Sequence, residues 1–332
     1  MEKNIKKKRI SSKVKKRIII VLSTILAVII VAFIGVNLYM DSILNRMNQK
    51  DSFKESEVYA YESDRDIDNI ALLGVDQSED GTQQRTDVVK IISLNFEDKN
   101  MTISSIQRDN IMYQPMEDRY EKLNHAYWYD GVQGTLSTLN YNLDLDITQY
   151  VKFDFDSVVE IVDIVGGVDI DLTEAEAASL GLYSGVQHLD GQQALAYSRI
   201  RNIDSDYGRM NRQNNVINAM LSSIRNQSVL DILDTVNEVM PYIETNVSNG
   251  KIKNYITSFL TFDKTLNQYQ FPSNGSESVL TSITVNGYGP NYILKDFVGE
   301  VELLHKDIYG EGYSPSENVK KVAEETLQLA GY

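Results

Sequence analysis

The sequence contains no cysteine, and this absence excludes several kinds of stabilisation and chemistry. Disulfide bonds, thiolate nucleophiles and cysteine-ligated metal sites are all ruled out, so stability must come from a hydrophobic core. Proline is also scarce, with five in 332 residues, and no linker-like segment interrupts the chain after Asp68. These two scarcities favour one continuous folded domain over a disulfide scaffold or a string of small modules.

Basic residues are scarce beyond the first 17 positions. Residues 1–17 hold nine Lys and Arg against one acidic residue, Glu2, whereas the remaining chain carries 23 basic and 46 acidic side chains. Binding to a phosphate backbone needs a basic surface, so nucleic acid is excluded as a partner of this acidic part. If this acidic part is exported, its lack of cysteine and its negative charge are typical of a bacterial cell surface.

Charged residues are missing altogether from residues 18–40. At 1.5 Å per residue this run covers about 34 Å, enough to span a bilayer. Its length, and the lack of a small-residue cleavage site after it, favour a retained anchor over a cleaved signal peptide. The basic residues before it predict a single-pass protein of the cell membrane, with residues 1–17 as a cytoplasmic tail. We expect residues 41–67 to form a stalk and residues 68–332 an extracellular domain.

Strand and helix patterns interleave after residue 67. Residues 70–75 form an apolar run typical of a buried strand, and residues 88–96 and 101–106 read as a hairpin. Helical patterns at 124–129 and 131–142 precede further strands and helices towards the C-terminus. The order predicts an α/β fold: a single domain with a central mixed, mostly antiparallel sheet flanked by helices on both faces, preceded by one N-terminal transmembrane helix.

Arginines concentrate in residues 196–213. This segment holds four of the ten arginines that follow the apolar run: Arg199, Arg201, Arg209 and Arg212. The planar guanidinium group suits bidentate binding of phosphate or carboxylate. The cluster therefore indicates a local anionic partner.

The spacing after Gly208 places two of these arginines on a helix. Arg209, Arg212 and Gln213 continue the three- and four-residue spacing of the apolar side chains that follow them. They fall in the first turn, where free backbone N–H groups already favour an anion. We expect the two positive charges to lack structural counterions, so that their removal leaves stability unchanged or slightly raised. The alternative is an ion-pair network with Asp204, Asp206 or other carboxylates.

Two acids border the first predicted loop. Asp76 ends the first buried strand and Asp87 begins the second, while Arg85 and Arg108 add cations at neighbouring strand ends. Strand ends that converge at one edge of a sheet commonly build sites, and two carboxylates without cysteine suit a hard cation such as Mg²⁺. The alternative is that both aspartates serve turn and capping geometry only.

Seven segments appear in the order seen in the LytR-CpsA-Psr family, and the chain resembles that family over roughly residues 68–226. The segments are 72–76 (LLGVD), 85–87 (RTD), 105–109 (SIQRD), 122–127 (KLNHAY), 163–169 (DIVGGVD), 189–201 (LDGQQALAYSRIR) and 207–213 (YGRMNRQ). The resemblance implies a membrane-anchored phosphotransferase of Gram-positive cell envelopes. Such enzymes move an anionic glycopolymer, such as wall teichoic acid or capsule, from a polyprenyl-pyrophosphate carrier to peptidoglycan through a phosphodiester.

The resemblance also implies residue roles. It makes Asp76 and Asp87 the ligands of Mg²⁺, with Mn²⁺ as an alternative metal. The implied catalytic residues are Asp76, Asp87, Arg108, Arg199 and Arg201. The implied pyrophosphate ligands are Arg85, Arg108, Arg199, Arg201, Arg209, Arg212 and Gln213. Departures from the family pattern leave these charged groups in place: Thr86 stands for the usual serine, Gln107 for proline, and Asp130-Gly131 for Gly-Gly.

A polyprenyl chain needs an apolar surface, and aliphatic stripes on three predicted helices are candidates. The residues are Leu136, Leu139, Val158, Val162, Val216 and Met220. The alternative is that these stripes are ordinary core.

Two other functions use the same features. One is a polyprenyl-pyrophosphate glycan hydrolase, or a non-catalytic binder, with the same arginine clamp, by which we mean the pyrophosphate ligands named above. The other is an envelope-related transcriptional attenuator or regulator, which the acidic exported part and the anchor disfavour.

Overall fold

The computed structural model of the chain describes residues 39–42, 44, 48–62, 66–76, 84–201, 203–225, 227–262, 266–273 and 275–332. The chain divides into two compact units, residues 1–46 and residues 47–332, and the second contains every strand and helix described below. Residues 18–38 of the expected anchor lie outside the described residues, so the anchor stays a prediction. None of the described helices combines the length and the apolar character that crossing a membrane requires.

A seven-stranded sheet forms the centre of the second unit. Its spatial order is β1-β10-β7-β2-β3-β4-β11. The bounds are β1 Asn48–Gln49, β2 Ile67–Asp76, β3 Arg85–Asn95, β4 Asn100–Ile106, β7 Gln149–Asp154, β10 Glu244–Thr245 and β11 Leu266–Phe271. Three two-stranded sheets accompany it: β5 Ile111–Gln114 with β6 Arg119–Lys122, β8 Val168–Leu172 with β9 Gly185–Leu189, and β12 Val279–Val285 with β13 Tyr288–Leu294.

The central sheet is mixed, as predicted, but it is not mostly antiparallel. Among its described strands, β2 pairs antiparallel with β3, β3 with β4, and β10 with β7. The pairs β2 with β7, β4 with β11, and β1 with β10 are parallel. The hairpin pattern of residues 88–106 predicted the antiparallel part. The parallel pairs arise because β7 and β11 return to the sheet after long connections that contain helices, which the local pattern does not specify.

The helices that the structure describes cover both faces of this sheet. Their bounds are α1 His125–Leu143, α2 Phe155–Ile164, α3 Glu174–Leu180, α4 Gly191–Arg199, α5 Asp206–Arg225, α6 Val229–Val239, α7 Asn249–Thr261, α8 Phe297–Tyr309 and α9 Glu317–Leu329. Helix α1 consists of two helical pieces, because Asp130 and Gly131 leave helical geometry and Gly131 has φ +60° and ψ −143°. Glycine tolerates this conformation far better than other residues. The predicted break between residues 129 and 131 is confirmed.

Alternate residues of β3 separate the two faces. Val89 and Ile91 join the main core, where they pack with α1, α8 and α9. Leu136 and Leu139 of α1 lie in the same core with no exposed surface. Lys90, between the two β3 residues, points to the opposite face and contacts Asn214 of α5. The helices therefore form a layer on each side of the sheet, as the sequence predicted.

A second core cluster holds α2, α4 and α5 together with β8 and β9. Helix α4 approaches α2 so closely that a Cβ atom on Gly191 would lie 2.2 Å from the carbonyl oxygen of Val159. This close contact fixes the beginning of α4, and Asp190 caps it by accepting a hydrogen bond from the backbone N–H of Gln193 at 2.8 Å. The other end of α4 carries Arg199 towards the edge of the central sheet.

Candidate functional site

The candidate site begins where β2 ends and β3 starts. Asp76 and Arg85 are direct partners across this antiparallel pair, and an irregularity in register separates Gly74 from Val75 just before them. Asp87 lies two residues further along β3, at this irregularity, between Thr86, which pairs with Val75, and Val88, which pairs with Gly74. The predicted convergence of these three charged residues at one edge of the sheet is therefore confirmed.

Arg108 follows β4 at the same edge and joins the group through Asp87. Its Nη1 donates a hydrogen bond to Oδ1 of Asp87, and its Nε lies 3.4 Å from Oδ2 of Asp109. The other oxygen of Asp109 accepts a hydrogen bond from Nζ of Lys122 at 3.0 Å. The four charges alternate in sign, and all four side chains are largely buried. Such a network holds the guanidinium of Arg108 in one orientation.

Lys122 and Asp109 were not among the predicted site residues. Both lie inside segments that carried the family resemblance, at positions where the sequence shows only one charged residue beside another. What identifies them is the tertiary contact that brings β6 next to the end of β4. The available signal was Lys122 itself, a charged residue in a short strand for which the neighbouring sequence offers no evident partner.

Arg199 connects the end of α4 with the sheet edge. Its Nη2 lies 3.5 Å from Oδ1 of Asp76, and its guanidinium carbon lies 4.1 Å from the centre of the Phe155 ring. Both charged side chains remain almost half exposed, at 48% for Arg199 and 43% for Asp76. An exposed pair of this kind is weak, so either group can exchange its partner for a ligand at little cost.

Arg85 lies over an aromatic platform at the kinked part of α1. Its guanidinium carbon is 5.2 Å from the centre of the Trp128 ring. Trp128 stacks on Tyr129 at 5.1 Å, and the edge of His125 meets Trp128 at 5.6 Å. Nδ1 of His125 lies 3.4 Å from Oε1 of Glu121, a carboxylate with no exposed surface. The platform is therefore anchored in the protein interior, although the sequence assigned no role to Trp128.

Arg212 does not have the uncompensated charge that we expected. Its Nη1 and Nη2 donate to the two carboxylate oxygens of Asp204 at 2.7 and 2.9 Å, and Nη2 also donates to the carbonyl oxygen of Ile200 at 2.9 Å. Glu176 lies 3.6 Å away. Ile200 directly follows α4, Asp204 lies shortly before α5, and Glu176 belongs to α3, so acceptors from three parts of the chain meet at the guanidinium. The ion-pair alternative is therefore correct for Arg212.

These contacts shift the ionisation of both partners. The hydrogen bond from Arg212 lowers the pKa of the Asp204 carboxyl below its usual range. Burial works against the charged guanidinium, but its hydrogen bond to Asp204 prevails and raises the pKa of Arg212. Arg212 is 2% exposed in this arrangement, which favours a structural role beneath the exposed arginines over direct contact with a ligand. Its role as a pyrophosphate ligand stays a prediction.

The remaining predicted anion ligands lie at different depths. Arg209 is buried at 6% exposure one turn before Arg212, whereas Arg201 is exposed just after α4 and Gln213 is half-buried. Arg199 thus presents a cation at the sheet edge, and Arg201 presents one to solvent two residues further along the chain. The contribution of Arg209, Arg201 and Gln213 to ligand binding stays a prediction.

Lys90 joins the sheet to the helix that carries Arg209 and Arg212. Its Nζ donates to Oγ of Ser105 at 2.8 Å and to Oδ1 of Asn214 at 2.5 Å. Burial lowers the pKa of Lys90 to about 7. Sequence analysis missed this contact, although a lysine inside the apolar run of β3 was the visible signal.

The predicted lipid residues do not form one surface. Leu136 and Leu139 belong to the main core on the other face of the sheet, so the ordinary-core alternative is correct for them. Val162 and Val216 are buried in the second core, and Val158 and Met220 pack against it while half-buried. Only the last two keep apolar surface on the side of α2 and α5, and a role in lipid binding stays a prediction for this side.

The metal prediction rests on Asp76 and Asp87. Within the described ranges, no three or more histidine and carboxylate side chains gather in a metal-binding group. Two aspartates at the edge of a sheet fit a cation that keeps several waters and takes further oxygen ligands from phosphate, as Mg²⁺ does. Each aspartate now faces an arginine, Arg199 or Arg108, so a bound cation would have to share or replace these contacts.

Comparison with known proteins places this geometry in a family context. The model of the LytR_cpsA_psr family matches residues 33–292. The polyisoprenyl-teichoic acid–peptidoglycan teichoic acid transferase TagU of Enterococcus faecalis is 30% identical over 272 residues, covering 78% of this chain and 89% of that protein.

Solved structures show the same fold. TagT bound to LIIa-WTA superposes with a TM-score of 0.61 at 23% identity, covering 74% of this chain and 92% of that chain. The LytR-CPS2A-psr family protein YwtF (TagT) with bound octaprenyl pyrophosphate lipid gives a TM-score of 0.54 at 20% identity, covering 82% of this chain and 94% of that chain.

Proposed function

The chain belongs to the LytR-CpsA-Psr family, and from this membership we propose that it transfers an anionic glycopolymer from a polyprenyl-pyrophosphate carrier to peptidoglycan. The relative from Enterococcus faecalis is a polyisoprenyl-teichoic acid–peptidoglycan teichoic acid transferase, and the TagT structures contain LIIa-WTA or an octaprenyl pyrophosphate lipid. The protein acts as a single-pass membrane protein whose domain lies outside the cell.

The observation that carries this proposal is the convergence of cations and carboxylates at one sheet edge. Arg85, Arg108 and Arg199 reach this edge from three separate elements and meet Asp76 and Asp87 there. A pyrophosphate carries negative charge on both phosphorus centres, and fixed arginines stabilise that charge and the charge that develops during transfer. Catalysis of phosphoryl transfer consists mainly of positioning the reacting groups and neutralising the charge on the phosphate oxygens.

At phosphorus, the reaction breaks one P–O bond and forms another. The acceptor hydroxyl oxygen attacks the phosphorus next to the glycan, and the bridging P–O bond of the pyrophosphate breaks. Polyprenyl phosphate leaves, the hydroxyl proton passes to a basic oxygen or to water, and the glycan is left joined to the acceptor by a phosphodiester.

The residues divide this work by position. Arg108, held by Asp87 and Asp109, binds a phosphate oxygen in a fixed orientation, and Arg85 on its aromatic platform binds a second. Arg199 and Arg201, which are more exposed, bind the donor where it enters. Arg212 supports the clamp from below through Asp204.

Asp76 and Asp87 would hold Mg²⁺, or Mn²⁺ in its place. When bound, the metal neutralises phosphate charge and orients phosphate oxygens. This proposal is supported by the two carboxylates at the sheet edge and by the oxygen chemistry of the donor.

The test is an incubation of the full chain, in detergent, with a polyprenyl-pyrophosphate-linked glycopolymer, Mg²⁺ and peptidoglycan oligomer. Polymer covalently joined to peptidoglycan supports the transferase. Free phosphorylated glycan without a joined product would indicate a hydrolase. Retention of the donor without any conversion would indicate a binding protein, and either result would contradict the proposal.

A further inference from the structure

A cavity of about 250 Å³ opens at the carboxyl ends of the parallel strands β2 and β7. Val75 on its wall directly precedes Asp76, and Asp154 directly precedes Phe155, whose ring lies under Arg199. Because Arg199 in turn reaches Asp76, the cavity adjoins the pair of charges at the sheet edge. A group bound in it lies next to the place proposed for the pyrophosphate.

The wall of the cavity combines charged and polar side chains with aromatic and apolar ones. Nζ of Lys152 and Oε2 of Glu244 form an ion pair at 3.0 Å. Oδ1 of Asp154 accepts hydrogen bonds from the backbone N–H of Ser157 at 2.8 Å and from its hydroxyl at 2.7 Å. The half-buried ring of Tyr242 completes this side. The wall therefore offers donors, acceptors and the aromatic rings of Tyr127, Phe153 and Tyr242.

This chemistry does not suit either part of the donor. A polyprenyl tail would cover the carboxylates and the ammonium group without replacing their contacts with water, which costs free energy for each group left unsatisfied. A polyanionic glycopolymer would face two carboxylates, Asp154 and Glu244, against the single cation Lys152. The cavity therefore disfavours both the lipid and the charged polymer.

An uncharged sugar can pair with the donors, the acceptors and the aromatic surface of the wall. Its hydroxyl and amide groups hydrogen-bond with carboxylates and an ammonium group alike, and its apolar ring face packs on an aromatic side chain. We propose that this cavity binds a sugar residue of the acceptor glycan and presents its hydroxyl group to the phosphorus held beside Asp76. The inference rests on the proposed function and names the position of its second substrate.

Two substitutions test the cavity with different changes. Tyr242→Ala removes one of the three aromatic rings on the wall, and Glu244→Gln keeps the shape while it removes the acceptor charge that pairs with Lys152. Tyr242→Ala loses the packing of one ring on the sugar, and Glu244→Gln loses about one hydrogen bond to a charged group. The KM for peptidoglycan oligomer should therefore rise roughly tenfold in each variant. The Kd for the polyprenyl-pyrophosphate donor should stay within about twofold, because the donor lies outside the cavity.

Tyr183→Ala is the matched control, since Tyr183 is 85% exposed and lies between α3 and β9, away from the cavity lining. It should leave both constants unchanged. An unchanged KM for the acceptor in both cavity variants overturns the proposal, and so does an equal loss of donor binding.

Direct binding separates this inference from the function on which it rests. The full chain is titrated, in the absence of donor, with a peptidoglycan disaccharide whose lactyl carboxylate is converted to the amide, so that the probe carries no charge. Binding that both cavity variants weaken about tenfold, and that Tyr183→Ala leaves unchanged, supports the cavity even if no transfer is observed. Binding that the cavity variants leave unchanged excludes it even if transfer succeeds.

Discussion

The guanidinium group of Arg212 is bound by both carboxylate oxygens of Asp204, at 2.7 and 2.9 Å, and is almost completely buried. This pair connects the first turns of α5 with the segment that follows α4. It therefore fixes the relative position of the exposed arginines after α4 and the helix that carries Arg209. Arg212 therefore stabilises the arrangement of the neighbouring arginines, although its segment resembles one that binds a ligand.

Arg212→Gln should destabilise the protein, because Asp204, Glu176 and the Ile200 carbonyl lose their charged donor. Hydrogen bonds to charged groups are worth about 1.5–3 kcal/mol, and the free energy of unfolding should fall by about that amount. Urea denaturation measures this loss. Arg201→Gln, which removes an exposed charge nearby, is the control and should change stability little. Equal stabilities of wild type and Arg212→Gln would restore the interpretation of Arg212 as an unpaired ligand residue.

The same pair predicts an effect of acid. Arg212 lowers the pKa of the folded-state Asp204 carboxyl, so its stabilising effect is present above the ordinary aspartate pKa. It is lost as the pH falls through the lower, folded-state pKa. Denaturation curves recorded between about pH 6 and pH 3 should show a smaller acid-induced loss for Asp204→Asn than for wild type. Parallel curves would show that the ion pair does not contribute to acid stability.

Lys90→Met tests the buried ammonium group between the sheet and α5. Burial lowers the pKa of Lys90 to about 7, whereas an unfolded lysine titrates near 10.4. The unfolded chain therefore holds more protons between these values, and wild-type stability should rise with pH across this range. Lys90→Met removes the titrating group, so its stability should rise less from about pH 7 to about pH 9.5.

Lys99→Met is the control for Lys90, since Lys99 lies exposed in the turn between β3 and β4. It should keep the wild-type pH dependence. A Lys90→Met variant with the same pH dependence as wild type would show that Lys90 keeps an ordinary pKa in the folded protein.

Trp128 should influence donor binding through Arg85. A cation over an aromatic ring is worth about 0.5–2 kcal/mol, so Trp128→Ala should weaken binding of inorganic pyrophosphate by roughly two- to thirtyfold. Trp128→Phe should recover part of the loss. The test is a double-mutant cycle measured by calorimetry, in which Trp128→Ala adds no further loss to Arg85→Gln. Additive losses would show that the two residues act independently.

Trp128 is the single tryptophan of the chain, so its fluorescence reports directly on this contact. Pyrophosphate that binds Arg85 should change the emission of wild type, and Arg85→Gln should abolish that change. An identical response in Arg85→Gln would place the ligand elsewhere.

Asp76→Asn and Asp87→Asn should each remove the dependence of pyrophosphate binding on Mg²⁺. A metal shared by both carboxylates loses a ligand in either variant, and no core volume is emptied because both residues lie at strand ends. Calorimetric titration of pyrophosphate with and without Mg²⁺ measures the effect. Asp98→Asn, in the exposed turn after β3, is the control. Wild-type Mg²⁺ dependence in both site variants would refute the metal site.

Sequence patterns predicted the parts of this site that follow from local structure. Asp76 and Arg85 flank two apolar strands, so their meeting at one edge could be read from periodicity and turn position. The ion pair between Arg212 and Asp204 was only an alternative, because no periodic pattern in the sequence between α4 and α5 decides whether Asp204 reaches the guanidinium. Lys90 was missed for a related reason, since its partner Asn214 lies 124 positions away.

The most direct test of the proposed reaction follows the two phosphorus atoms of the donor separately. The full chain is incubated in detergent with Mg²⁺, peptidoglycan oligomer and donor labelled at either the glycan-side or the lipid-side phosphorus. We predict that the glycan-side label becomes part of peptidoglycan and that the lipid-side label leaves as polyprenyl phosphate. Release of the glycan-side label as free glycan phosphate, with none in peptidoglycan, would contradict the transferase account.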